Sequence, residues 1–192
     1  MAWLAHSLTA LRLLLAPPVG VLLASSDPRA GPTAALLIAA AIATDLADGA
    51  VARRYATASE VGGIFDHTTD CVFVVSGLMG GVRRGVFPWI LPVLVVVAFA
   101  QYSIDSRWLH KHSGLRGSRL GRYNGIGYFF PICGDTLVRL GLTFLAPAVS
   151  VVCWLLVLST CVSIGERVIL ARQALRTGPA SPASGTTSPS RR

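Results

Sequence analysis

Apolar runs long enough to form helices recur along the chain, and each ends at a polar connection. The first extends from Leu11 to Ala24, interrupted by Arg12 and by Pro17-Pro18. It predicts a helix reaching back to about Leu4 and kinked at the prolines. Residues 25–32, SSDPRAGP, form a turn-rich connection. A second run begins at Thr33 but stays apolar only to Thr44, too short for a hydrocarbon core about 30 Å thick. This helix therefore continues to about Arg53, through Asp45 and Asp48. After a polar connection at 54–60, a third helix opens between Ser59 and Gly62, carries Asp66 and Asp70, and becomes apolar as CVFVVSGLMGGV. A fourth run covers 88–104, a fifth about Tyr123 to Leu145, and a sixth about Pro147 to Ile164. The longest polar connection, 105–122, separates the fourth and fifth and carries five positive charges.

Composition sharpens this pattern into a class. Hydrophobic residues make up 53% of the chain and charged residues 14%, with a mean hydropathy of +0.60. That is an all-α, polytopic integral membrane protein with six transmembrane helices rather than a soluble domain. At 192 residues the chain holds one domain, residues 1–176. Residues 177–192, rich in Pro, Ser, Thr and Gly, have nothing to bury and read as a disordered cytoplasmic tail. The first apolar run is a poor signal peptide, because its one positive charge, Arg12, sits inside the run.

The net charge of +8 raises nucleic acid as a partner, but the cations fall between and after the apolar runs, with no basic helix face and no aromatic-rich RNA motif. Membrane topology accounts for them instead. With the N-terminus inside, thirteen Lys and Arg lie on the cytoplasmic side and four outside. Both termini and the Asp45–Asp70 stretch are then cytoplasmic in a cell-membrane protein. The four cysteines, Cys71, Cys133, Cys153 and Cys161, form no CxxC pair and read as small buried hydrophobes.

Residues 45–70, DLADGAVARRYATASEVGGIFDHTTD, hold four of the seven aspartates. A carboxylate at membrane depth costs roughly 2.5–3.5 kcal/mol, so four amount to roughly 10 kcal/mol at helix centres. Something must offset that cost. On a helix, residues three and four apart share a face, so Asp45, Asp48, Gly49, Ala52 and Arg53 form one stripe. Asp66 and Asp70 are four apart on the next helix, with Gly62 and Gly63 one turn earlier. A tight turn joins the two helices, so the charged ends face each other, beside small residues that admit a close ligand. Four facing carboxylates need compensation to stay ionised. Two Mg²⁺ or Mn²⁺ ions would balance them, since hard oxygen ligands suit these metals. A two-metal site clamps the oxygens of a phosphoryl displacement, which points to phosphoryl transfer at the cytoplasmic membrane surface.

The stretch fits D-x2-D-G-x2-A-R-x8-G-x3-D-x3-D at all eight defined positions: Asp45, Asp48, Gly49, Ala52, Arg53, Gly62, Asp66 and Asp70. In this it resembles the CDP-alcohol phosphotransferase (CDP-alcohol phosphatidyltransferase) family. LTALRLLLAPP is similar to that family's first helix, and GLRGSRLGRYN loosely to its basic cytoplasmic segment. The resemblance implies phosphatidyl transfer from a CDP-linked lipid, usually CDP-diacylglycerol, to a small alcohol, with release of CMP. It implies Asp45 and Asp66 bridging two metals, Asp48 and Asp70 on one metal each, and Asp70 as general base on the acceptor hydroxyl. Gly49, Arg53 and Ser59 would contact the CDP moiety, and the family's tendency to dimerise implies a possible homodimer.

Other residues divide between chemistry and packing. Arg116, Arg119 and Arg122 would suit a phosphorylated acceptor, glycerol 3-phosphate or an inositol phosphate; positive-inside bias and lipid headgroups explain them as well. His67 points about 100° away from Asp66 and reads as packing or solvated. Asp135 and Arg139, an i, i+4 pair, read as mutual neutralisation. The competing function is a membrane cation or solute transporter with the aspartates as a cation path. A transporter would not need Gly49, Ala52, Arg53 and Gly62.

Overall fold

A computed structural model of the chain describes residues 2–55, 60–109 and 119–177, with side-chain surroundings for 9–47, 65–104 and most of 120–172. Seven α-helices and one 3-10 turn make up the described residues, with no strand among them: α1 (Ala2–Ala24), α2 (Ala30–Tyr55), α3 (Glu60–Arg83), α4 (Ile90–Leu109), α5 (Arg119–Gly127), α6 (Phe129–Arg139), a turn at Thr143–Leu145, and α7 (Ala146–Thr177). The fold is all-α.

The expected fifth helix, Tyr123 to Leu145, is two. Tyr128 still donates its N–H to the Asn124 carbonyl at 3.0 Å, so the rod nearly continues. Pro131, however, lacks the N–H that would bond back to Gly127. The rod then ends at Gly141, whose φ of 109° suits only glycine. α7 runs past the expected end near Ile164 to Thr177, because ERVILARQALR is built of good helix formers. α1 continues as helix through Pro17-Pro18. The 178–192 tail lies outside the described residues.

α1 and α3 are the centre of the bundle. They run parallel, and α1 packs most extensively against α3 and next against the antiparallel α2. Ala16, Val19 and Leu23 of α1, Ile38 of α2, and Phe73, Val74 and Leu78 of α3 form the buried core with Leu91, Val95 and Ile132. Two glycines let α1 and α3 touch: a Cβ on Gly80 would lie 2.6 Å from the Gly20 carbonyl oxygen, and one on Gly20 would lie 2.8 Å from that of Ser76. Gly80→Ala is therefore expected to cost roughly 1–3 kcal/mol through forced separation of the helices. Thermal unfolding in detergent measures it, and an unchanged melting temperature would refute the contact's importance.

At the far end of α1, two arginines take up its terminal carbonyls, which have no partners within the helix. Arg139 donates to the carbonyls of Leu22 (2.8 Å), Ser25 (2.9 Å) and Asp27 (3.1 Å). Arg84 donates to the Leu23 carbonyl and pairs with Asp135, whose side chain is 3% exposed. Asp135 is thus neutralised by Arg84, in the turn just after α3, while its helix neighbour Arg139 caps α1. This corrects the expected i, i+4 pair: both arginines are drawn to the end of α1.

Among the described residues, two stretches are long and apolar enough to cross a membrane, Ala30–Ala47 and Thr143–Leu170; Thr9–Ala24 and Ile90–Ile104 are shorter apolar helices. Large apolar side chains also face outward, among them Leu14, Val21, Leu36, Trp89, Phe144 and Leu158.

Candidate active site

Three helices meet at the end of the bundle opposite the arginine cap. α2 brings Asp45, and α3 brings Asp66 and, one turn later, Asp70. One carboxylate oxygen from each lies within 4.8 Å of the others. The cluster opens outward: the side chains of Asp45 and Asp66 are 51% and 47% exposed, and that of Asp70 is 25% exposed. Thr69 beside it is buried and returns its hydroxyl to the Phe65 carbonyl at 3.0 Å, which keeps a polar side chain satisfied within α3.

The floor of the cluster is Arg12 of α1, whose side chain is 1% exposed. Its Nη2 lies 2.6 Å from Asp45 Oδ1 and its Nη1 3.2 Å from Asp66 Oδ1, and Nη1 also pairs with Asp70 Oδ1. One guanidinium thus ties together carboxylates from two helices. Sequence reasoning counted Arg12 only as a topology charge. The signal was available: a lone arginine inside an apolar run, in a chain with surplus carboxylates at membrane depth, requires an anionic partner.

His67 lies on another face of α3, where its ring packs against Phe99 at 4.6 Å and Tyr102 at 4.5 Å between centroids, as expected of a packing residue. Tyr102 in turn carries the Arg167 guanidinium over its ring at 5.6 Å.

Asp48, Gly49 and Arg53 continue the same uninterrupted α2, with side chains outside the described residues. Ser59 and Arg116 lie outside the described residues altogether. Arg119 and Arg122 sit on α5, which packs against α7 and α6, and their side chains too are outside the described residues.

The donor set suits a divalent cation. Three hard carboxylate oxygens converge, and their exposed side leaves room for the waters and phosphate oxygens that Mg²⁺ retains. Within this group, three carboxylates against one guanidinium leave a formal charge of −2, which a divalent ion balances.

A family model described as CDP-alcohol phosphatidyltransferase matches residues 2–164, and the chain belongs to that family. Its chemistry is phosphatidyl transfer from a CDP-alcohol, and its members are membrane-associated. α1, α2 and α3, which build the acidic cluster, lie inside the matched span. Neither a curated protein nor a solved structure matches the chain.

Proposed function

We infer that this chain is an integral membrane transferase that moves the phosphatidyl group of CDP-diacylglycerol to a small alcohol and releases CMP. The observation that carries this reading is the convergence of Asp45, Asp66 and Asp70 from two helices onto one open cluster, inside a chain of this family. Outward-facing apolar side chains on several helices support a bilayer setting. The six helical rods, with α5 and α6 counted as one, are then the spans of a domain covering 1–176. The positive-inside bias puts the cluster and both termini in the cytoplasm of a cell-membrane protein.

Asp45, Asp48, Asp66 and Asp70 would hold two Mg²⁺ or Mn²⁺ ions, which supply charge neutralisation for the donor's diphosphate. The remaining steps belong to the chain. Gly49, Arg53 and Ser59 hold the CDP moiety, and Gly49 allows close backbone approach. Asp70, the least exposed of the three described carboxylates, takes the proton from the acceptor hydroxyl as its oxygen attacks the β-phosphorus. The bond from that phosphorus to the bridging oxygen breaks, and CMP leaves. Arg116, Arg119 and Arg122 suit a phosphorylated acceptor, glycerol 3-phosphate or an inositol phosphate.

Purified full-length chain, given CDP-diacylglycerol, Mg²⁺ or Mn²⁺ and a panel of alcohols, is expected to release CMP with at least one acceptor and to stop on addition of chelator. No CMP from any acceptor would overturn the reading.

A further inference from the structure

We propose that Arg12 is a built-in counter-cation of the acidic cluster, and that a divalent cation entering the cluster displaces its guanidinium. The proposal rests on the metal-binding reading above. Arg12 reaches Asp45, Asp66 and Asp70 at once, from within the protein, with its own side chain 1% exposed. Its Nη1 is shared between Asp66 and Asp70, and its Nη2 is held by Asp45 at 2.6 Å. The two nitrogens therefore stand in the small space on which these carboxylates converge. A Mg²⁺ ion bound at about 2.0–2.1 Å from carboxylate oxygens needs that same space. Two cations in one such space also repel each other. The guanidinium and the metal thus compete for the same carboxylates.

The arrangement solves a folding problem. Without a cation, Asp66 and Asp70 on α3 and Asp45 on α2 would repel each other over the end of α1, on which both helices pack. Arg12 supplies that cation from α1, so the site is assembled before any metal arrives. The cost falls on metal affinity, because part of the metal's binding free energy goes into moving Arg12. Arginine's long apolar stem lets its head group shift while α1 stays in place.

The test measures Mn²⁺ binding and melting temperature for the detergent-solubilised full-length chain. Arg12→Met, which keeps the stem and removes the charge, is expected to bind Mn²⁺ about tenfold or more tightly than wild type. It should melt lower than wild type in chelator and gain more from added Mn²⁺. Arg12→Lys, a point charge without the fork, should fall between the two. Normal Mn²⁺ binding by wild type with equal or weaker binding by Arg12→Met overturns this proposal alone. Failure of every form to bind Mn²⁺ overturns the metal reading and this proposal with it. Should Arg12→Met not fold, Arg12→Lys decides: affinity equal to or below wild type overturns the proposal.

Discussion

Asp70→Asn is expected to lose turnover by about 10³-fold or more while retaining much of its binding of CDP-diacylglycerol. Asparagine keeps the shape of the side chain but cannot accept the acceptor's proton, and general base catalysis alone accounts for about 10²–10⁴-fold. Loss of a carboxylate from the metal-binding cluster adds to the deficit. Arg12 would still hold Asp45 and Asp66, so the fold is expected to survive, and a melting curve near that of wild type would confirm it. CMP release in single-turnover assays, set beside CDP-lipid binding, separates the two effects. Normal turnover in this variant would remove Asp70 from the role of base.

The second large effect lies at the opposite end of the bundle. Asp135→Ala should destabilise the protein by about 3–5 kcal/mol, because it leaves the Arg84 charge largely buried without its carboxylate. For a chain of this size that corresponds to a fall of roughly 6–20 °C in melting temperature. The double variant Arg84→Met with Asp135→Leu should recover most of the loss, since an apolar pair of similar volume replaces a buried ion pair at little cost. A melting temperature for Asp135→Ala within about 2 °C of wild type would show that the pair contributes little. Activity is the useful contrast: Asp135 is remote from the acidic cluster, so folded Asp135→Ala should turn over at close to the wild-type rate.

The residues divide clearly into those whose meaning is local and those whose meaning is not. Asp45, Asp66 and Asp70 were legible because helical periodicity puts each pair of carboxylates on one face and few residues separate α2 from α3 in the sequence. The far end of α2, expected near Arg53 and found at Tyr55, followed from the need to lengthen a short apolar run. Arg12 and Asp70 are 58 residues apart, and Arg84 and Asp135 are 51 apart. No periodicity within one helix can report such partners; only the packing of α1, α3 and α6 does. For Asp135 the local rule even pointed to the wrong arginine, since Arg139 meets the open end of α1. The break near Tyr128 depended on one missing amide at Pro131, which the apolar run concealed. The extension of α7 to Thr177 was hidden because its last turns are polar, and hydrophobicity rather than helix propensity had marked the expected end.

The contact between Gly20 and Gly80 bears on the chemistry at a distance. Gly20 of α1 meets α3 between Ser76 and Gly80, and Arg12 meets Asp70, so the two parallel helices are matched at the same offset in both places. Arg12 precedes Gly20 by two turns, about 12 Å. The glycine joint therefore sets the axial alignment of the guanidinium with the carboxylates, as a notch aligns two sliding rods. A slip of one residue would shift Arg12 by about 1.5 Å and turn it by about 100°, off the cluster altogether. Residues that never approach a substrate thus decide whether its binding groups line up, and the joint is where a remote substitution would misalign the site without touching it.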